Sequence, residues 1–340
     1  MKVLMQNRQS YQHSIAGDSI QLVKTQEYLK RSGVEAVISA DPEHDLGDYD
    51  LVHLFNLMPV EETYQFYQNA VRQRKKMVLS PIFWNPGEFL RESGGAERFG
   101  EWWQKTMPFR KEILTGVQLI LPNSETEVQN LHETFGELPP VQIVPNAADR
   151  LFFNARPERF RRAYQPPAEF LLSVGRISPR KNQLALVKVV QKLGIPAIFV
   201  GPLNDTVYYQ ECRRNAAGGK ISFIDTLSQV ELASAYAAAK VHALVSWYDT
   251  PGLVSLEAGL TGCRIVSTDR GTAREYLGDD AYYCAPDNIQ SIIHAIRTAW
   301  HDGPKRNQLK ERILARFTWE QAAKATLVGY RKVLQGEAKQ

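Results

Sequence analysis

Residues 170–182 read Phe-Leu-Leu-Ser-Val-Gly-Arg-Ile-Ser-Pro-Arg-Lys-Asn, an apolar run that ends in glycine and is followed at once by cations. The run Phe170–Val174 predicts a buried strand, because a short apolar run bounded by a turn residue is typical of a parallel sheet. Arg176 and Lys181 follow it, five residues apart. Ligands of open α/β sheets bind at the carboxyl ends of strands, so these cations mark a candidate site.

The residues after this strand predict a helix start. Ser178 can cap a helix whose first residue is Pro179, which places Arg180 and Lys181 in its first turn. A helix N-terminus carries partial positive charge and disfavours cations, unless an anion lies among them. For any single one of these side chains, a solvated surface cation is the alternative interpretation.

A second charged pair follows a later apolar run. Asp249 and Glu257 are eight residues apart. Asp249 or Thr250 is expected to cap a helix that Pro251 opens, with Glu257 on or beside its apolar face. A buried carboxylate needs a partner. The paired hydroxyls of a ligand would serve, and a structural ion pair with Arg264 is the alternative.

Together, two cations and two carboxylates suit a diphosphate joined to a polyol. A carboxylate can accept two hydrogen bonds side by side, and guanidinium and ammonium groups bind phosphate oxygens. The residues therefore predict a nucleotide sugar as ligand, and no cofactor is expected.

Apolar runs alternate with amphipathic segments along the whole chain, which predicts two doubly wound α/β domains. We assign residues 1–160 to the first domain and 165–317 to the second, with a helix at 318–335 that returns to the first. The Pro- and Arg-rich stretch Asn146–Pro167 is interpreted as the connection. The predicted strands are Lys2–Met5, Val34–Ser39, Asp50–Asn56, Met77–Ile82, Val117–Pro122, Val141–Pro145, Phe170–Val174, Ala197–Val200, Ile221–Ile224, Val241–Val245 and Ile265–Ser267.

Composition narrows the class of protein. The 340 residues are 44% hydrophobic and 23% charged, with a formal net charge of +4, which is too small to indicate nucleic-acid binding. Three cysteines without paired spacing argue against a disulfide framework or a zinc site. No apolar run approaches the ~20 residues of a spanning helix, and no signal peptide is expected. We therefore expect a cytoplasmic protein, at most peripheral to a membrane.

Weaker signals have ordinary explanations beside functional ones. The turn at Ala16-Gly17-Asp18 could bring backbone N–H groups to a phosphate or a sugar, although an ordinary turn is nearly as plausible. His53, inside an apolar run, is expected to be a core histidine, and His13 lies near the turn. The segment Glu101–Lys111 mixes tryptophans and cations and could touch a membrane or a lipid-linked substrate. Tryptophans packed on a sheet are the simpler interpretation.

These motifs resemble those of the retaining GT-B glycosyltransferases of the large family 4 group, and the similarity covers most of the chain. Ser173–Arg176 with Lys181-Asn182 resembles the arginine–lysine diphosphate clamp of that family. Asp249 through Glu257 resembles its pair of acidic residues separated by seven positions. Three further landmarks are similar: Leu121–Ser124, Val144–Asp149 and Phe317–Glu320.

The resemblance implies two Rossmann-like domains with an active site in the cleft between them. Arg176 and Lys181 would neutralise the leaving diphosphate without a metal ion. Glu257 would hold the ribose hydroxyls, Asp249 would face the donor sugar, and the anomeric configuration would be retained. The remaining donor-binding positions, several of them through backbone N–H groups, would be Gly17, Gly175, Gly201, Phe223, Ile224, Gly252, Leu253 and Val254.

Two departures from the family pattern concern the donor sugar. The first acidic position is usually glutamate and is Asp249 here, one methylene shorter. A histidine is often supplied by a first-domain loop, and the corresponding stretch Ser80–Asn85 contains none.

The sequence thus predicts a metal-independent glycosyltransferase that transfers a sugar from a UDP-sugar, or less favourably a GDP-sugar, to a cell-surface glycan or lipid-linked acceptor. Two other functions stay open at this point: a nucleotide-sugar epimerase or isomerase, and a non-catalytic nucleotide-sugar-binding protein. We also expect the double substitution Arg176→Ala and Lys181→Ala to abolish transfer with little effect on thermal unfolding.

Overall fold

A computed structural model describes residues 1–12, 17–93, 96–250, 252–302 and 308–336, with side chains left undescribed at 93–98. The chain forms two compact units. Unit 1 comprises Met1–Asn146 together with the segment that begins at Trp319, and unit 2 comprises Ala147–Thr318. Three residues named in the sequence predictions, His13, Ala16 and Pro251, lie outside the described residues.

The stretch interpreted as a linker is largely part of unit 2. Residues 147–160, which the prediction assigned to the first domain, group with the second unit. The physical reason is aromatic burial: Phe152 and Phe160 are fully buried in the core of unit 2. The proline-rich, polar composition of this stretch gives no sign in the sequence that Phe152 and Phe160 pack in a core.

Unit 1 contains a sheet of five parallel strands. Its strands are β1 (Lys2–Gln6), β2 (Glu35–Ile38), β3 (Leu51–Phe55), β4 (Met77–Ser80) and β5 (Leu119–Ile120). Their order across the sheet is β2-β1-β3-β4-β5, and every described pair is parallel. The predicted strand Val141–Pro145 is wrong, because Val141 makes only an isolated bridge to Ile120.

Helices of unit 1 flank this sheet. They are α1 (Gly17–Arg31), α2 (Val60–Arg72), α3 (Gly87–Ser93), α4 (Ala96–Gly116) and α5 (Glu125–Phe135). Helix α5 starts at Ser124, whose hydroxyl accepts a hydrogen bond from the Glu127 N–H. The Glu127 carboxylate accepts from the backbone N–H groups of Phe83 and Asn123 at 2.6 Å, and so ties the loops after β4 and β5 together.

The fold of unit 2 is a six-stranded parallel sheet with helices from the same segment. Its strands are β6 (Leu171–Val174), β7 (Ala197–Val200), β8 (Ile221–Ile224), β9 (Val241–Leu244), β10 (Arg264–Thr268) and β11 (Tyr282–Cys284). Their order is β11-β10-β9-β6-β7-β8. Strand β11 was missed because three residues flanked by polar sequence give no periodic signal.

The helices of unit 2 cover that sheet. They are α6 (Glu158–Tyr164), α7 (Gln183–Leu193), α8 (Thr206–Ala216), α9 (Gln229–Ala238), α10 (Leu253–Leu260), α11 (Ala273–Leu277), α12 (Ile289–His301) and α13 (Gln308–Arg316). Helix α9 begins with a capping box, in which the side chains of Ser228 and Glu231 each accept a hydrogen bond from the other's backbone N–H. The similar pair Thr272 and Glu275 forms no side-chain cap at the start of α11.

The final helix, α14 (Trp319–Gln335), belongs to unit 1 and packs against α1. His53 is buried on β3, as predicted, and its two ring nitrogens lie 2.7 Å from the Tyr330 hydroxyl and 2.9 Å from the Ser80 hydroxyl. Burial lowers the pKa of His53 to about 3, so the ring is neutral near pH 7. A neutral histidine thus links α14 to two strands.

Within the described residues, no helix combines the length and the apolar character needed to cross a membrane. The predicted tryptophan segment lies in α4. Trp103 packs beside the core of unit 1 and contacts Phe83, with ring centroids 6.0 Å apart. This packing agrees with the simpler of the two interpretations of that segment.

Candidate active site in unit 2

The order of the unit 2 sheet brings the two charged stretches together. Strands β6 and β9 are neighbours, with β7 and β8 on one side and β10 and β11 on the other. Successive connections therefore leave in opposite directions at this point, which is the topological switch where α/β sheets bind ligands. Arg176 and Lys181 follow β6, and Asp249 follows β9.

Direct bonds join these stretches across 68 positions of sequence. The Lys181 Nζ lies 2.5 Å from Asp249 Oδ1. The Arg180 guanidinium donates to the Tyr248 carbonyl at 2.7 Å and lies 3.8 Å from the same carboxylate oxygen. In return, the Arg180 carbonyl accepts from the Trp247 N–H at 2.9 Å. Sequence analysis counted Arg180 among the cations that an anion could join, but it did not name Arg180 as a residue of the diphosphate clamp.

The loop after β6 differs from the predicted helix start. Pro179–Lys181 form a separate 3-10 turn, and Ser178 makes no side-chain cap. Asn182 ends the turn at φ +57°, a conformation that asparagine tolerates better than most residues. Its amide donates to the carbonyls of Val245 and Pro286, at 3.2 and 2.9 Å, which fixes the turn against the end of β9.

Electrostatics couples the cations of this site. Burial lowers the pKa of Lys181 to about 8; the Asp249 carboxylate acts to raise it, and the charges of Arg180 and Arg176 lower it. Burial would raise the pKa of Asp249, but Lys181 and Arg180 outweigh burial and hold it below its usual value. Lys181 and Arg180 act on the Asp249 carboxylate, and Arg176 acts on Lys181, so this group of three cations and one carboxylate carries a formal charge of +2.

Asp249 is also the centre of a set of buried polar atoms. The residue is 5% exposed, and its Oδ2 has no hydrogen-bond partner among the described residues. The same holds for the hydroxyls of Ser255 and Thr272, both fully buried. Gly271 lies directly against the Asp249 backbone, where a Cβ would approach the Asp249 carbonyl to 2.4 Å. Buried polar groups are normally satisfied, so these atoms mark a place for a polar ligand or water.

Glu257 lies on α10, 5% exposed, and accepts a hydrogen bond from the Tyr236 hydroxyl at 3.3 Å. Burial raises the pKa of Tyr236 well above its usual value, so the hydroxyl stays protonated and can donate. Arg264, the alternative partner, donates to the carbonyls of Ala299 and Trp300 instead. The sequence did not identify Tyr236, because it lies on another helix, 21 positions away.

The start of α10 also differs from prediction. Gly252 is the N-cap residue at φ +78°, neither Asp249 nor Thr250 caps the helix, and Pro251 lies outside the described residues. Leu253 and Val254 are the first residues of α10, so their backbone N–H groups lie at the helix N-terminus, where the donor-binding prediction needs them.

Two glycines end the strands β6 and β7. Gly175 has φ +153° and Gly201 has φ +154°, and a Cβ on Gly201 would lie 2.1 Å from the Gly175 carbonyl oxygen. The Gly201 N–H donates to the Ile224 carbonyl at 3.0 Å. Phe223 stacks on Phe199 with centroids 5.1 Å apart. The half-buried side chains of Phe223 and Ile224 pack against the two cores of unit 2.

The last predicted position, Gly17, begins α1 in unit 1 and is exposed, and a Cβ there would meet no described atom within 4 Å. In the described part of the chain, no group of three or more histidine, cysteine or acidic side chains is placed to hold a metal ion.

Comparison with known proteins agrees with the glycosyltransferase prediction. The model of the family described as glycosyl transferases group 1 matches residues 155–316, which lie within unit 2. The O-antigen chain mannosyltransferase B of Escherichia coli is 27% identical over 173 residues, which cover 48% of this chain and 45% of that protein. A D-inositol 3-phosphate glycosyltransferase of Kineococcus radiotolerans is 26% identical over 261 residues, 67% of this chain and 60% of the relative. This chain thus spans about half the length of these two relatives.

Solved structures share the fold. Sucrose-phosphate synthase from Thermosynechococcus elongatus superimposes with a TM-score of 0.82 at 18% identity, covering 99% of this chain and all of that one. Anabaena HepE in complex with UDP and glucose gives 0.77 at 16% identity, with 97% and 99% covered. The predicted fold class, GT-B with two Rossmann-like parallel-sheet domains, is confirmed.

Proposed function

We propose that this protein is a retaining, metal-independent glycosyltransferase that uses a nucleoside diphosphate sugar as donor and a glycan or lipid-linked alcohol as acceptor. The observation that carries the proposal is the cluster at the switch point of unit 2, where Arg180 and Lys181 meet Asp249 and Arg176 acts on Lys181. A UDP-sugar is the preferred donor and a GDP-sugar the second candidate. The proposal includes a cytoplasmic location, with peripheral membrane contact where the acceptor is lipid-linked.

The excess of two positive charges matches a diphosphate diester, which carries two negative charges at neutral pH. When the bond from the sugar to the diphosphate breaks, additional negative charge develops on the leaving oxygen. Preorganised cations in a buried site stabilise that charge in the transition state. Lys181 and the arginines would thus supply the charge that a divalent metal supplies in other transferases.

Glu257 would bind the ribose. Its carboxylate can accept hydrogen bonds from two adjacent hydroxyls, and the Tyr236 hydroxyl fixes one of its oxygens. Burial of the pair makes the interaction strong and directional. Asp249 would connect the clamp to the donor sugar. Its Oδ1 is bonded to Lys181, and its Oδ2, which has no hydrogen-bond partner among the described residues, would accept from a hydroxyl of the donor sugar.

The relatives support the reaction class and leave the acceptor open. Their names describe transfer to an O-antigen chain and to D-inositol 3-phosphate, which are chemically different acceptors. Retention of configuration is part of the proposal. It is tested by assigning the anomeric configuration of the product by NMR.

The first experiment is calorimetry with UDP, GDP and ADP, followed by incubation of the corresponding sugar nucleotides with and without acceptors. Release of nucleoside diphosphate that depends on an acceptor supports the transferase. An epimerised sugar nucleotide formed without acceptor would establish the isomerase, and donor binding without turnover would establish the non-catalytic function.

The second experiment removes the cations. In the double variant Arg176→Ala with Lys181→Ala, the buried Asp249 carboxylate would lose its partner at 2.5 Å and keep only Arg180 at 3.8 Å, so a loss of stability could accompany the loss of transfer. Arg176→Ala with Lys181→Gln avoids this, since the glutamine amide can donate to Asp249. We expect at least a ~100-fold loss of kcat/KM for the donor.

A matched control is Lys192→Ala with Arg214→Ala, which removes the same charge from exposed positions of unit 2. This control should retain the activity of the unmodified protein. Full activity of the clamp variant would contradict the proposed role of the cations.

A further inference from the structure

His242 is a fully buried histidine that the proposed mechanism does not use. It lies on β9, and the register of the sheet places it beside Leu172 of β6 and Ile265 of β10. Both neighbours belong to an apolar core of unit 2. Neither ring nitrogen of His242 has a partner at hydrogen-bond geometry among the described residues. The imidazole is therefore a polar ring in a mainly apolar core.

The buried histidine of unit 1, His53, is held differently. Its two nitrogens lie within hydrogen-bond distance of the hydroxyls of Tyr330 and Ser80. A neutral imidazole that buries its N–H and its lone pair without such partners costs stability, and an apolar side chain in its place would avoid this cost. Departures of this kind are expected where a residue serves function at the expense of stability. We therefore look for the contribution of His242 in the contacts of its ring.

The charges of the diphosphate clamp reach this ring. Burial lowers the pKa of His242 to about 3, so the ring is neutral near pH 7. The nearby Leu172 backbone and the Asp249 carboxylate act to raise this pKa, and the Lys181 ammonium lowers it. A neutral ring within reach of the clamp neither repels Lys181 nor competes with it for the diphosphate. His242 can thus support the site without changing its charge.

His242 packs against the tyrosine that bonds Glu257. The rings of His242 and Tyr236 are nearly perpendicular, with centroids 5.4 Å apart and an angle of 86° between their planes. Phe152 makes a second edge contact with Tyr236, with centroids 6.0 Å apart. The Tyr236 hydroxyl lies 3.3 Å from Glu257 Oε2, which is long for a hydrogen bond between two oxygens. This bond alone holds the phenol loosely, so the two ring contacts are needed to fix its direction.

We propose that His242 is a positioning residue for ribose binding: its ring holds Tyr236 so that the phenol hydroxyl donates to Glu257. The inference rests on the proposed function, in which the Glu257 carboxylate accepts from the ribose hydroxyls. His242 itself would not touch the nucleotide. A carboxylate whose orientation is fixed before the donor arrives loses less conformational freedom on binding, so its contacts with the hydroxyls contribute more to affinity and selectivity.

The test measures how well the full chain distinguishes a ribonucleotide from its deoxy analogue. Calorimetry gives the Kd of UDP, of 2′-deoxy-UDP and of inorganic pyrophosphate; if GDP or ADP is the nucleotide that binds, the corresponding pair is used. We expect the unmodified protein to bind UDP at least about tenfold more tightly than 2′-deoxy-UDP, because the analogue lacks a hydroxyl from which Glu257 would accept.

His242→Leu removes the ring. The ratio of the two nucleotide Kd values should fall below about threefold, whereas pyrophosphate, which has no ribose, should bind within about twofold of its original affinity. The midpoint of thermal unfolding should not decrease, because the loss of two unpaired polar atoms offsets the loss of the ring contact. His242→Met is the substitute if His242→Leu does not fold, since methionine adapts to irregular spaces.

Further variants test whether His242 acts through Tyr236. Tyr236→Phe should lower the ratio by itself, and adding His242→Leu to it should lower the ratio no further. His242→Phe keeps an aromatic ring beside Tyr236, and its ratio should stay within about threefold of that of the unmodified protein.

Tyr330→Phe is the matched control. Tyr330 is fully buried in unit 1, its ring lies at 86° to that of His53 with centroids 5.6 Å apart, and its hydroxyl lies 2.7 Å from a ring nitrogen of His53. Removing this hydroxyl is the same chemical change as Tyr236→Phe, made outside unit 2. It should change neither the ratio nor the affinity for pyrophosphate.

Separate outcomes overturn the two proposals. An unchanged ratio in His242→Leu overturns the positioning role, and so does an equal loss of affinity for UDP and pyrophosphate, which would indicate general damage to unit 2. A further decrease in the double variant, or loss of the ratio in a folded His242→Phe, also overturns it. Equal binding of UDP and 2′-deoxy-UDP by the unmodified protein overturns this inference and leaves the clamp standing. Failure of every nucleoside diphosphate to bind overturns the proposed transferase itself.

Discussion

The strongest prediction is that kcat/KM for the donor depends on pH through the protonation of Lys181, because Lys181 lies in the proposed diphosphate site. Burial lowers the pKa of Lys181 to about 8. Only the protonated ammonium attracts a diphosphate, so donor capture should decrease as pH rises through this value. One unit below the pKa about 90% of the lysine is charged, and one unit above it about 10%. We therefore expect kcat/KM for the donor to fall about tenfold between pH 7 and pH 9.

The sign of the effect is checked by changing the groups that set the pKa. The Asp249 charge raises the pKa of Lys181, so Asp249→Asn should lower that pKa and move the decrease in kcat/KM to lower pH. Lys181→Arg should abolish the decrease, because the guanidinium stays charged at every pH in the assay. In the donor complex, the diphosphate stabilises the ammonium, so kcat should begin to decrease at a higher pH than kcat/KM.

The assay is the initial rate of nucleoside diphosphate release from about pH 6 to about pH 9.5, in overlapping buffers of constant ionic strength. Thermal unfolding is followed at each pH, so that loss of fold is not mistaken for titration. A kcat/KM that is flat to pH 9.5 would refute the role of Lys181. The same decrease in Lys181→Arg would assign the titration to another group.

Two further predictions concern stability. Gly201→Ala should destabilise unit 2 by ~1–3 kcal/mol, because the new Cβ would lie 2.1 Å from the Gly175 carbonyl oxygen. The control is Gly218→Ala, at a position with positive φ and open space, which should cost ~1 kcal/mol. Chemical denaturation compares the two variants, and equal losses of unfolding free energy would refute the steric argument. Tyr330→Phe should destabilise unit 1 by ~1–3 kcal/mol, since a buried His53 nitrogen loses its partner at 2.7 Å; an unchanged denaturation midpoint would contradict this.

Sequence reasoning was most successful where local pattern determines structure. The predicted strands Phe170–Val174 and Val241–Val245 are apolar runs, and the observed strands end at Val174 and Leu244, within one residue of the predicted ends. Burial of Glu257 followed from helical spacing alone. The predicted capping residues at Ser178 and Asp249 failed, because cap identity depends on backbone angles that one residue type does not determine.

The contacts that give the site its chemistry could not be predicted in this way. Lys181 and Asp249 are 68 residues apart and meet only because β9 inserts beside β6. The order of strands depends on how the crossover helices pack, which local sequence does not encode. Tyr236 reaches Glu257 for the same reason, from a helix that is remote in sequence.

The two units have a similar arrangement of charged side chains at the edge of their sheets. Each places a cation–carboxylate pair at the switch point of a parallel sheet: Arg8 with Asp18 in unit 1, and Lys181 with Asp249 in unit 2. In unit 2, Arg180 lies 3.8 Å from the same carboxylate oxygen and the charge of Arg176 acts on Lys181. This excess of cations over the single carboxylate is the basis of the proposed diphosphate site, because a diphosphate diester brings two negative charges to it.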